Sequence, residues 1–78
     1  MNLEIITPDK KLYEGEVKSI QLPGLDGSFG VLDNHAPLIS ALQKGKINIV
    51  DKAQASISFE VNGGVVEVNK NKVIVLAE

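Results

Sequence analysis

Seventy-eight residues with eight lysines, ten acids, no arginine, no cysteine and a net charge of -2 leave room for a single domain over residues 1–78 and exclude several chemistries at once. Without cysteine there can be no disulfides, thiolate metal sites or thiol nucleophiles, and lysines interspersed with acids do not make the concentrated positive surface that nucleic acid requires. No apolar run approaches the ~20 residues of a membrane helix, and Asp9, Glu14 and Glu16 break up any signal or transit peptide, so membrane contact is expected only through other proteins.

Taken in chain order, the segments alternate with period two between frequent turn signals. Asn2 to Thr7 and Val17 to Leu22 are strand candidates, separated by Pro8-Asp9 and Gly15. Next comes a stretch from Gly27 to Gly45 that holds the only histidine, Pro37 and three glycines. Within it, Asn34 to Gly45 reads as a helix by local rules: polar residues in front, Pro37 near the first turn, Leu38, Ala41 and Leu42 at helical spacing, and a closing Gly45. Lys46 to Ile49, Ser56 to Val61 and Val66 to Asn69 each alternate apolar with polar, and Gly63-Gly64 predicts a tight hairpin between the last two. Lys72 to Leu76 is apolar on both faces, as suits a central or covered strand. Short strands with turns this frequent predict an all-β, antiparallel sandwich or barrel.

The order of the special residues closely resembles the epsilon subunit of F-type ATP synthases. In that family a Pro-Gly turn, a Gly-x-apolar-Gly-apolar-apolar run, His-Ala-Pro-Leu and a later glycine mark the amino-terminal domain. The same series stands here as Pro23-Gly24, Gly27-Ser28-Phe29-Gly30-Val31-Leu32, His35-Ala36-Pro37-Leu38 and Gly45, and the flanking segments fit the family's strand pattern.

The resemblance implies a flattened barrel or sandwich of two five-stranded sheets, in which the helix-like segment from Asn34 to Gly45 is a strand. It implies a non-catalytic subunit without cofactor, monomeric when isolated. This subunit would dock on the gamma subunit and the c-ring and so connect proton-driven rotation of the central stalk to ATP synthesis. The expected location is peripheral, on the cytoplasmic side of a bacterial plasma membrane. Thr7 and His35 match family positions facing gamma, and Asp26, Gly27, Ser28 and Phe29 match the loop facing the c-ring. Ser28 stands where many relatives have an acid, and Asp33-Asn34 where they have Pro-Gly. Many relatives also continue into a carboxyl-terminal helical hairpin that restrains ATP hydrolysis and in some binds ATP; ending at Glu78, this polypeptide is expected to lack both.

Other chemistries find less support in the residues. His35 could act as a general base with Asp26 or Asp33, which would make the chain a small hydrolase, but Ser28, Ser40, Ser56 and Ser58 lie in strand-like runs with no nucleophile elbow. One histidine and scattered carboxylates favour no metal site, and the glycines lack the Gly-Lys-Ser/Thr of a phosphate loop. Asp51-Lys52-Ala53 resembles the attachment turn of lipoyl carrier domains, with Lys52 as the modified residue. Finally, Ile6, Ile39, Ile74 and Leu76 are left outside by alternation and are candidates for a binding surface.

Overall fold

The computed structural model describes residues 1–78 and contains eight strands and no helix. They are β1 (Asn2–Ile6), β2 (Lys11–Gly24), β3 (Gly27–Val31), β4 (His35–Leu42), β5 (Gly45–Asp51), β6 (Ser56–Val61), β7 (Gly64–Lys70) and β8 (Lys72–Ala77). Hydrogen bonding runs continuously through all eight, in the order β1-β8-β7-β4-β2-β5-β6, with β3 beside β2 and β1 returning to β2.

The key element is β2, which is long enough to serve two layers. Its first part, Lys11 to Glu16, pairs with β1, which continues through β8 and β7 to β4 and completes a five-stranded layer. Its second part pairs with β3 on one side and β5 on the other, and β6 completes a four-stranded layer. The change of partner falls at Val17, where the register slips by one residue at Lys18, and such a bulge bends a strand and raises its twist. At its far end β2 meets β4, with Gly24 opposite Leu42. The sandwich is therefore flattened, and hydrogen bonding divides its strands five to four because β2 is shared.

Alternation places one face of every strand in a common core. Leu3 and Ile5, Val17, Ile20 and Leu22, Val31, Leu42, Ile47 and Ile49, Val61, Val66 and Val68, and Val73, Val75 and Ala77 are all buried together with Met1. Tyr13 and Phe59 close one side edge to face, their ring centroids 5.8 Å apart.

Several sequence expectations are corrected by the pairing. All pairs are antiparallel except β1 and β8, which run parallel, Leu3 beside Val73 and Ile5 beside Val75. Gly15 does not separate strands; it lies inside β2 opposite Leu3, where the Tyr13 ring lies over its bare face. Gly63-Gly64 does not turn a hairpin, because β6 and β7 belong to different layers and are not paired. These two glycines, with φ of 137° and 141°, instead carry the chain across. A methyl at Gly64 would come within 2.2 Å of the Leu76 carbonyl oxygen, a gap too narrow for any side chain.

Within the segment from Asn34 to Gly45 the chain forms the strand His35–Leu42 and no helix. Leu38, Ser40 and Leu42 face inward and Ile39 and Ala41 outward. Pro37, which has no N–H for a ladder, falls in the register slip between His35 and Leu38.

Candidate functional site

The sandwich has two ends. At one lie the Thr7–Lys10 turn, the Leu25-Asp26 tip between β2 and β3, the Asn62-Gly63 crossover and Glu78; at the other lie Met1, Asp33, Asn34-His35, Asn71 and the Asp51–Ala55 turn. The register follows from the ladders, in which Ile6, Leu76, Val65 and Ala41 form one row and Asn2, Lys72 and Asn69 another.

Thr7 follows β1 and is fixed by its own turn. Its N–H donates to the Lys10 carbonyl at 2.8 Å, its hydroxyl donates to the same oxygen at 3.0 Å, and the Lys10 N–H donates back to Oγ1 at 3.2 Å. His35 opens β4, three strands away and at the opposite end. Counting register steps puts Thr7 and His35 about 20 Å apart along the strands and about 14 Å across them, so they mark opposite corners of one broad face. They do not form a common site.

His35 is oriented by its own strand. Its Nδ1 lies 2.7 Å from the Ala36 carbonyl oxygen, which can only accept, so Nδ1 carries the proton. The preceding Asn34 has φ of 61° and donates its N–H to Asn71 Oδ1 at 2.9 Å, tying the start of β4 to the β7–β8 turn. Neither candidate acid reaches the imidazole. Asp33 accepts from the Met1 amino group at 2.7 Å, and this hydrogen bond and the adjacent positive charge hold its carboxyl below the usual carboxylate range. Asp26 sits at the opposite end, in the β2–β3 turn. No group of three His, Asp or Glu side chains converges anywhere in the fold.

The expected Asp26–Phe29 loop is mostly strand: Leu25-Asp26 form a two-residue hairpin turn, with Gly24 paired to Gly27 and a φ of 127° at Gly27, and Gly27 to Phe29 belong to β3. Asp26, Gly27 and Ser28 are exposed, and Ser28 Oγ accepts from Gln21 Nε2 at 2.9 Å. Phe29 differs from the other three: half-buried, its ring packs on the core and over Gly24, where an added methyl would lie 2.9 Å from it. Leu25 at the tip is 61% exposed. The sequence reading missed it, although an apolar residue between Gly24 and Asp26 in a turn is itself the signal.

Lys52 stands in a turn organised by Asp51, whose Oδ1 accepts from the N–H groups of Ala53 and Ala55, each at 2.9 Å. The lysine is exposed, and its nearest acid, Glu16, is 4.0 Å away.

The outward apolar residues do cluster. Ile6, Leu76 and Val65 share a row on the five-stranded layer, with Ala41 at its end; the row beside it reads Glu4, Ile74, Glu67 and Ile39, so its apolar residues alternate with carboxylates. Ile39, Leu76 and Val65 are 73%, 55% and 40% exposed. The β2-β5-β6 layer has Ser19, Gln21, Asn48 and Ser58 outward instead, so the two broad faces differ in kind. Val65 was not foreseen as part of this patch, because β7 was expected to begin after it.

A family model described as the beta-sandwich domain of the ATP synthase delta/epsilon chain matches residues 1–78. The chain is 45% identical over 76 residues to an ATP synthase epsilon chain of Chlorobium limicola, covering 97% of this chain and 86% of that one. It is 47% identical over 78 residues to that of Sulfurimonas denitrificans, covering 100% of this chain and 60% of the relative. Among solved structures it resembles a chain of the Euglena gracilis mitochondrial ATP synthase, with a TM-score of 0.90 and 21% identity, covering 96% of this chain and 48% of that one. A second resembles it in the Tetrahymena thermophila mitochondrial ATP synthase central stalk and c-ring, with a TM-score of 0.82 and 19% identity, over 99% and 62%. At these identities the structures speak for the fold, and the chain spans about half to three fifths of their length. The match includes the turn holding Lys52, so the lipoyl reading is set aside.

Proposed function

Because the chain belongs to the beta-sandwich family of ATP synthase delta/epsilon chains, we propose that it acts as a non-catalytic domain of the rotor, docked between the gamma subunit and the c-ring. Residues 1–78 act in this role as a single stiff unit. The epsilon-chain relatives and the central-stalk setting of the Tetrahymena neighbour support this reading. A close-packed sandwich transmits torque by shape, which requires no titrating residue.

One observation carries the assignment of the gamma side: the apolar row of Ile6, Leu76 and Val65, flanked by Ile74 and Ile39 between Glu4 and Glu67, lies on the face whose corners are Thr7 and His35. Gamma covers this face, with Thr7 and His35 at its rim. The Leu25–Ser28 tip lies at the Thr7 end and meets the c-ring. The domain is thus held peripherally at the membrane through its partners, on the cytoplasmic side of a bacterial plasma membrane.

Calorimetric titration of gamma with the Val65→Asp and Leu76→Asp variants tests this. A charge facing an apolar partner surface is expected to weaken binding at least about tenfold, with the far-UV spectrum unchanged. Unchanged affinity in both variants would remove this face from the interface.

A further inference from the structure

Asn62 is the one asparagine of six that precedes a glycine. Asparagine cyclises when the backbone nitrogen of the next residue attacks its side-chain carbonyl, and the reaction needs that nitrogen unhindered and not engaged in a hydrogen bond. At Asn62-Gly63 the attacking nitrogen belongs to a residue with no side chain and donates no hydrogen bond, although Gly63 itself is buried. Asn62 is exposed, its side chain makes no hydrogen bond to protein, and the Gly63 N–H donates to no protein group, although neighbouring atoms of the same crossover do: Asn62 N–H to the Glu78 carbonyl at 3.5 Å and Glu78 N–H to the Gly63 carbonyl at 3.1 Å. The other asparagines precede residues with side chains. Two are also engaged, Asn48 accepting from Ser58 Oγ at 2.7 Å and Asn71 from the Asn34 N–H at 2.9 Å.

We infer that Asn62 is a site of spontaneous, water-consuming deamidation in the folded protein. The Gly63 nitrogen forms a bond to Asn62 Cγ while the Cγ–Nδ2 bond breaks; the amide proton leaves with the amine as ammonia, and a succinimide remains. Water then opens either carbonyl, giving aspartate or isoaspartate. The net change is one water taken up, one ammonia lost and one negative charge gained, with no oxidation or reduction.

Position gives the change a structural consequence. The crossover between β6 and β7 is clamped to the end of β8, and the Glu78 side chain lies close by, its Oε1 3.5 Å from where a Gly63 methyl would stand. A new carboxylate here faces Glu78, and isoaspartate lengthens the main chain by one methylene beside Gly64, where the backbone already touches Leu76. The Gly63–Glu78 hydrogen bond is the one expected to loosen.

The experiment is incubation of the full chain at mildly alkaline pH, followed by intact mass and peptide mapping. The expected result is a gain of one mass unit confined to Asn62, with isoaspartate exceeding aspartate. Conversion should be measurable but slower than in a free peptide spanning residues 58–67, because the hydrogen bonds to Glu78 must open first. The Asn62→Gln variant should not change, and the aged protein should exchange its Glu78 amide faster. Isomerisation at Asp26-Gly27 would leave the mass unchanged and so is not confused with it. A folded protein that stays unmodified while the peptide converts would overturn the inference, as would an equal mass gain in Asn62→Gln.

Discussion

The amino group of Met1 donates to Asp33 Oδ1 at 2.7 Å and to the Val17 carbonyl at 3.1 Å, with Glu16 Oε2 3.5 Å away. The contact joins the start of β1 to the β3–β4 connection at the point where β2 changes layers. Asp33 thus holds this connection with an ion pair.

The pair gives stability a defined pH dependence. The Asp33 carboxyl titrates lower in the folded state than in the unfolded chain, first through the hydrogen bond from the amine and then through its charge. The folded state thus favours the ionised form. Its contribution is complete above the unfolded carboxylate pKa and is lost as the pH falls through the lowered folded one. Asp33→Asn should lower the urea midpoint modestly at neutral pH and converge with the parent in acid, the carboxylate being solvent-exposed. A difference that persisted unchanged into acid would contradict the ion pair.

Glycine substitutions should separate space from conformation. Gly64→Ala meets both obstacles, a φ of 141° and a carbonyl oxygen 2.2 Å from the new carbon, and should cost at least about 3 kcal/mol or prevent folding. Gly27→Ala has a φ of 127° and nothing within 4 Å, so only backbone strain of about 1–3 kcal/mol is expected. Gly30→Ala, whose nearest neighbour is an ordinary 3.8 Å away, should fall within about 1 kcal/mol of the parent. Denaturant midpoints would check this order.

Much of this architecture could be read from the sequence, and the failures have physical causes. Ser56 to Val61 alternates cleanly and is β6 residue for residue, because each face meets a single environment. The segment from Asn34 to Gly45 misled local rules because Ser40 occupies an inward position, which left Leu38, Ala41 and Leu42 as the visible apolar set. Only the family pattern supplied the strand. Gly63-Gly64 carries the same torsional demand in a crossover as in a hairpin, so composition could not separate the two. The parallel contact of β1 with β8 depends on residues from opposite ends of the chain, and no short-range signal encodes it. At the candidate site, the apolar rows needed Ile6, Val65, Leu76 and Ile39 to be brought into register from four strands, which only the ladder reveals.

The neighbours Val75 and Leu76 test the division between core and surface. Both are apolar and adjacent in β8, yet Val75 is fully buried and Leu76 is 55% exposed. Truncating a buried aliphatic leaves a cavity, and Ile5→Ala, at an equally closed site, should cost about 2–5 kcal/mol. Leu76→Ala should cost under about 1 kcal/mol, because much of its surface already meets water. Should Leu76→Ala match Ile5→Ala in thermal or urea unfolding, its row would belong to the core and not to a docking face.

The β2–β3 tip permits a prediction about coupling that is independent of the gamma face. Asp26 is the acid at this exposed turn, and its neighbour Leu25 presents an uncovered side chain. If the tip seats on the c-ring by charge, Asp26→Lys should leave the fold and gamma binding unchanged but reduce ATP-driven proton pumping relative to ATP hydrolysis in reassembled membranes. Leu25→Ser separates the apolar part of the contact. A loss of pumping with Leu25→Ser alone would mean that the tip seats by packing and that Asp26 is a solvated bystander. Full coupling in the double variant would remove the tip from the c-ring contact altogether. Because the Gly24–Gly27 pair and the Phe29 ring anchor the hairpin from below, neither substitution disturbs its geometry, so the pumping ratio reports the contact itself.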